Sequence, residues 1–207
     1  MNIFKTVKKC IAGFLMLVMV LTLILPVQTI RAAESYSMIK LDKTQGSVSV
    51  SNSASRSMTA RTGMRLLNGY QVSTDLKSYA WMILDSTKGV KLDSKSKVQV
   101  RTMGKKMELM LLSGNLFFNV SKKLEKDEEL NIRTSTMVTG IRGTIGYVTR
   151  VSSDLTLVGV LEGAVQCESG GSKFTTVSAG QVASIHEVGS VKDENGKTNE
   201  NVKVDVS

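Results

Sequence analysis

Over much of the chain between residues 36 and 185 the apolar side chains recur at every second position, and that period constrains the fold more than any other feature. Val48 and Val50 alternate with Ser47, Ser49 and Ser51; Val98 and Val100 alternate with Lys97, Gln99 and Arg101. Leu130 and Ile132 alternate with Asn131 and Arg133. Met107, Leu109 and Leu111 share one face with Glu108 opposite, although Met110 blurs the pattern. Successive side chains of a strand point to opposite faces, so this alternation describes strands with one buried and one solvated side. Turn-forming clusters separate the runs: residues 85–89, Asp93-Ser94, Ser113-Gly114-Asn115, Ser169-Gly170-Gly171 and Ala179-Gly180. Many short strands with regular turns predict an all-β domain, an antiparallel β-sandwich or β-roll. The one helical candidate, residues 121–130, mixes both charges and holds few apolar residues. It reads as a charged loop or a single helical turn between strands.

Three runs are apolar at consecutive positions: 80–84, 116–118 and 157–161. Such runs suit central strands covered on both faces, which places Trp81 and Phe118 in or near the core. The alternative for Trp81 is an exposed platform for a ligand.

The N-terminus bears on the compartment. Lys5, Lys8 and Lys9 precede an almost wholly apolar run from 11 to 27, and Ala32 follows with Ile30 two residues before it. This is the three-part pattern of a secretory signal peptide over residues 1–32, with an uncleaved signal-anchor as the alternative. Export to the outside of the cell, or to the outer face of its membrane, is the expectation either way. Cys10 precedes the apolar run, so it does not sit at a lipoprotein cleavage site. Removal of residues 1–32 leaves 23 basic against 18 acidic residues, a modest excess that favours anionic envelope polymers only weakly, and few aromatics with no dense basic cluster argue against nucleic-acid binding. It also leaves Cys167 as the only cysteine, so no intrachain disulfide is expected. Alternation with Val165 reads Cys167 as a small buried hydrophobe. The globular part is placed at residues 36–188, followed by a polar tail at 189–207. Within that tail Val202, Val204 and Val206 alternate and offer one further edge strand.

No catalytic set is legible. His186 is the only histidine and stands at a strand end beside Glu187, where no buried acid is evident to hold it as a base. One histidine and one distant cysteine give no zinc spacing, and no acidic calcium loop occurs. No cofactor is expected. The acids at 125–129 are interleaved with Lys122, Lys123 and Lys126 and read as a solvated run. Glu162 is different, because it interrupts an apolar strand just before Gly163. Arg142, in the glycine-punctuated run Thr139-Gly140-Ile141-Arg142-Gly143-Thr144, is its expected salt-bridge partner. The glycines of that run read as a bulge or tight crossing rather than a phosphate cradle, since a strand and not a helix follows.

Arg142-Gly143-Thr144, Leu161-Glu162-Gly163 and Ala179-Gly180-Gln181, preceded by the stretch from Gly63 to Thr74 and by Leu111–Leu116, follow in an order that resembles the FecR-like domain. The likeness extends from about Ile39 to Ile185. It implies an all-β extracytoplasmic module in which Arg142, Gly143, Thr144, Glu162, Gly163 and Gly180 are fold markers rather than catalytic groups. Relatives of this kind relay a signal through a membrane helix to a cytoplasmic anti-sigma segment; only ten residues precede the apolar run here, so that segment is expected to be lacking. The expected function is a non-enzymatic interaction or sensing module of the cell envelope, with an envelope protein as partner. The alternative is a binder of cell-wall polymer or other carbohydrate, against which the scarcity of aromatics counts.

Overall fold

The computed structural model describes residues 39–169, 173–192 and 198–207. The chain divides into two compact units, residues 1–35 and 36–207, and every described residue belongs to the second. The expected signal segment and the Gly170-Gly171 turn lie outside the described residues. The described residues form strands and no helix.

The strands form two sheets. In order across the first lie β1 (Lys40–Gln45), β5 (Tyr79–Ile83), β6 (Lys88–Leu92), the second half of β8 (Lys106–Val120), β11 (Ile145–Arg150), β12 (Leu155–Glu162), β15 (Val182–Lys192) and β16 (Thr198–Val206). Across the second lie β3 (Ser57–Thr59), β2 (Val48–Ser51), β4 (Gln71–Thr74), β7 (Lys97–Met103), the first half of β8, β9 (Glu129–Arg133), β10 (Met137–Ile141), β13 (Ala164–Ser169) and β14 (Lys173–Ser178). The inward side chains of both sheets make one core. Val72, Val98, Leu109, Ile132 and Val177 from one sheet join Leu41, Met82, Leu92, Phe118 and Ile185 from the other. All pairings are antiparallel except β8 with β9. That pair is parallel because the chain leaves the second sheet along β8 and returns through the 121–128 loop, a crossover that a parallel pair requires. The architecture is therefore mixed rather than wholly antiparallel.

β8 is continuous through both sheets, and it corrects one sequence reading. Ser113-Gly114-Asn115 is not a hairpin turn but the point at which β8 passes from one sheet to the other. Lys97 faces Ser113 while Val98 faces Leu111, so Leu112 is an extra residue and the strand bulges. Gly114 takes φ +80°, and a Cβ there would lie 2.7 Å from the Cα of Ser96. Buried hydroxyls satisfy the backbone groups where the ladders break. The Asn115 N–H donates to Ser96 Oγ at 2.8 Å, the Ser96 N–H to Thr74 Oγ1 at 3.0 Å, and the Ser47 N–H to Ser78 Oγ at 2.8 Å. Around these serines the chain also changes sheets between β1 and β2, β4 and β5, and β6 and β7.

Phe118 is in the core, 2% exposed, but Trp81 is not. Tyr79, Trp81 and Ile83 point to the outer face of the first sheet, opposite the inward Ala80 and Met82. The apolar runs 80–84, 116–118 and 157–161 are covered on one side only: Ile83, Phe117 and Leu161 are exposed. The segment read as a polar tail contains the further edge strand that Val202, Val204 and Val206 offered. β15 continues to Lys192 and pairs with β16, and Val204 lies opposite the buried Ile185 and packs on the core.

Cys167 is 1% exposed on β13, with its thiol 3.3 Å from Thr139 Oγ1, and burial pushes the thiol pKa up. A thiol reagent should therefore label Cys167 in the folded protein no faster than the protein unfolds, with full labelling in denaturant. Gly114→Val should cost at least about 2 kcal/mol in urea unfolding, from the left-handed backbone and the contact with Ser96.

Candidate functional site

Three segments that carry the chain from one sheet to the other meet at a single corner. Arg142-Gly143-Thr144 joins β10 to β11, Gly163 joins β12 to β13, and Ala179-Gly180-Gln181 joins β14 to β15. Each crossing needs a backbone turn that a side chain would oppose, and Gly143, Gly163 and Gly180 have φ of +70°, +81° and +81°. The first two glycines also allow close approach. A Cβ on Gly163 would lie 2.9 Å from the Gly143 carbonyl oxygen, and one on Gly143 would lie 3.3 Å from the backbone of Lys123. Thr144 is buried and its Oγ1 donates to the Ala164 carbonyl at 2.9 Å. The Ala179 N–H donates to the Gly163 carbonyl and the Gly180 N–H to the Val160 carbonyl, both at 2.9 Å.

The expected Arg142–Glu162 salt bridge is not formed. Both side chains are exposed, and no ion pair joins them. The two segments do meet, but through the glycine backbones and the Thr144 hydroxyl. A pair in water would add little to that contact.

Arg142 instead stands at a groove of about 620 Å³ on the outer face of β9, β10, β13 and β14. A polar row crosses the groove floor, with Gly140 facing Asn131 on one side and Gln166 on the other, and Thr176 beyond. Gly140 lowers the floor between the two amides. Glu129 and Glu168 add carboxylates and Phe174, 60% exposed, adds an apolar edge. The Glu129 carboxyl is held below its usual range by Lys106, 2.9 Å away, and by the Asn131 amide. The groove thus presents a guanidinium, amides and carboxylates to a polar partner. His186 is elsewhere, on β15 opposite Leu155 and Lys203. Among the described residues no three His, Cys, Asp or Glu side chains are grouped to hold a metal ion.

One wall of the groove, formed by Leu124 and Glu128, belongs to the 121–128 loop, which contains no helix. A buried lysine that the sequence reading did not single out anchors it. Lys88, at the start of β6, is 4% exposed; its Nζ pairs with Asp85 and reaches both oxygens of Glu128 at 3.2 Å. The Lys105–Asp127 pair at 2.6 Å and the Ser121 N–H to Thr87 carbonyl bond at 2.9 Å pin the loop further. Burial alone would lower the Lys88 pKa, but hydrogen bonds to Asp85 and Glu128 outweigh it and the value is raised. Burial would likewise raise Asp85, yet the bonds from Lys88 and Thr87 hold it below the usual carboxylate range. The only clue in the sequence was Lys88 at an inward position of the alternation, since Val90 and Leu92 share its face.

Lys88→Ala should cost about 3 kcal/mol, at the low end for breaking a buried pair because both carboxylates are partly solvated. The contribution of Asp85 is present above its unfolded pKa of about 3.9 and lost as pH falls through the lower folded value. That of Lys88 is complete below its unfolded pKa of about 10.4 and lost as pH rises through the higher folded value. Urea titrations across pH should show stability falling at both ends, with both limbs flattened in Lys88→Ala.

Residues 70–166 match the family model for FecR protein, from just before β4 into β13, a shorter span than the likeness read in the sequence. Two crystal structures of a candidate anti-sigma factor from Parabacteroides distasonis ATCC 8503, at 1.65 Å and 2.50 Å resolution, are similar at 16% identity and a TM-score of 0.49. The similarity covers 63% of this chain, which spans 58% of the length of those proteins. Among curated proteins there is no match. What is similar to FecR protein is therefore the span from 70 to 166, which runs through the Gly143 and Gly163 crossings.

Proposed function

We propose that this chain is a non-enzymatic interaction or sensing module that acts outside the cytoplasm, at the cell envelope, and takes an envelope protein as its partner. One observation carries the reading. Within the matched region Gly143, Thr144 and Gly163 are engaged in closing a corner of the fold, while Arg142, just before Gly143, is left exposed beside a polar groove. An exposed guanidinium beside amides and carboxylates suits recognition of a polar protein surface, since a planar fork of donors binds carboxylates in two places at once. The acids of the groove have no histidine or thiol beside them, which fits binding better than general acid–base or nucleophilic chemistry. The basic, apolar and small-residue order of residues 1–32 supports action outside the cytoplasm, with the chain either released or held by an uncleaved signal.

The test is site-specific photo-crosslinking of the full chain on intact cells, with the reactive group placed at Gln166 in the groove or at exposed Gln45 on β1. A discrete protein adduct from position 166, missing from position 45 and lost when Arg142→Glu is introduced, is the expected result. Equal adducts from both positions, or an adduct that survives the charge reversal, would remove the groove from the partner interface.

A further inference from the structure

The outer face of the first sheet carries a second, differently built surface. In register across five strands lie Lys43 of β1, Trp81 of β5, Lys91 of β6, Phe117 of β8 and Tyr147 of β11. Tyr79 stands beside Trp81 with ring centroids 6.2 Å apart, and Phe117 and Tyr147 are 5.7 Å apart. Lys43 Nζ is 5.1 Å from the Trp81 ring centroid. Lys91 Nζ lies 4.5 Å from Tyr79, 5.6 Å from Trp81 and 5.9 Å from Phe117. Neither ammonium pairs with a carboxylate among the described residues. Cations held over rings in this way are oriented but not neutralised.

Two glycines shape the row. Tyr147 packs over Gly159, where a Cβ would stand 2.3 Å from the ring. Gly89 opens a slot of about 300 Å³ between Trp81 and Ile83 on one side and Phe117 and Ile145 on the other, with Lys91, Asn119 and one carboxylate, Asp42, at its edge. A Cβ on Gly89 would meet nothing nearer than the Met82 carbonyl oxygen at 3.9 Å.

We propose that this row is a binding site for an anionic glycan polymer, one that bears carboxylate or phosphate groups along its sugar backbone. The rings offer flat apolar faces with polar tips, which match the C–H faces and hydroxyls of pyranose rings. Trp81 and Phe117 are two strands apart, about 9.6 Å, the length scale of two linked sugar rings. Lys91 lies between them, where an anionic group on such a polymer would fall. The unpaired ammonium groups supply the charge complementarity. A peptide is less well suited because Trp81, Lys91 and Phe117 stand on β5, β6 and β8, inner strands paired on both sides, so strand addition has no edge at the slot. The few aromatics that argued against sugar binding are concentrated here, with Tyr70, Phe118 and Phe174 elsewhere among the described residues.

Trp81 is the only tryptophan, so its fluorescence reports the site directly. The experiment titrates the full chain with polygalacturonate and, in parallel, with neutral dextran, poly-glutamate and vesicles containing anionic lipid. A shift in Trp81 emission with polygalacturonate alone, weakened by added salt, is the expected result. Gly89→Leu directs a side chain into the slot from a Cβ in ordinary contact distance of its surroundings, and Lys91→Gln removes the central charge. Each should weaken binding roughly tenfold or more while the thermal midpoint stays near that of the parent. Arg142→Glu, on the other sheet, should leave the titration unchanged, which separates this site from the proposed partner groove. No shift with polygalacturonate would overturn the proposal. So would equal response to poly-glutamate or vesicles, or parent-like binding by folded Gly89→Leu.

Discussion

The need to carry a chain repeatedly between two sheets governs this structure. At each passage the backbone leaves one hydrogen-bond ladder and joins another, so its polar groups lose their regular partners at the moment they are buried. Two devices solve this. On one side, where β8 passes through at Gly114, buried serine and threonine hydroxyls stand in for the missing ladder, with Ser96 bridging Asn115 and Thr74. On the other, left-handed glycines let three crossings stack backbone on backbone, and Thr144 stitches them with one side-chain bond. The single core exists because these passages bring the inward faces of both sheets together.

This division of labour explains why the most distinctive residues of the sequence say little about a ligand. Gly143, Thr144 and Gly163 are engaged in the corner they form, and Gly180 turns the chain there. The surfaces left for recognition are the outer faces, where alternation leaves every second residue free of packing duties. On one sheet these positions gather amides, acids and Arg142 around Gly140; on the other they gather rings and lysines around Gly89. In both, a glycine in mid-strand makes the depression. The loop that walls the polar groove is held by Lys88, so the shape of that surface depends on an ion pair buried at its edge.

Much of the fold was legible in the sequence. Period-two alternation identified strands such as Val98–Val100 and Leu130–Ile132 and the buried Cys167, while the buried Phe118 was read from a run of consecutive apolar residues. The readings that changed share a cause. Ser113-Gly114-Asn115 has turn composition, but its neighbours pair on both sides and the strand continues through it. Trp81 lies in an apolar run, yet it points to the outer face, where Lys43 and Lys91 stand over its ring. Arg142 and Glu162 were matched by charge, whereas the contact between their segments is made by glycines too close for side chains to intervene.

The sequence by itself determined the class of fold, the faces of its strands and the glycine crossings, because these depend on local period and on backbone conformations that only certain residues adopt. The tertiary structure alone decided which residues share a surface. Lys43, Trp81, Lys91, Phe117 and Tyr147 come from five strands, and Asn131, Gly140, Gln166 and Thr176 from four. Strand order and register set those rows, and both arise from long-range pairing that no local pattern encodes.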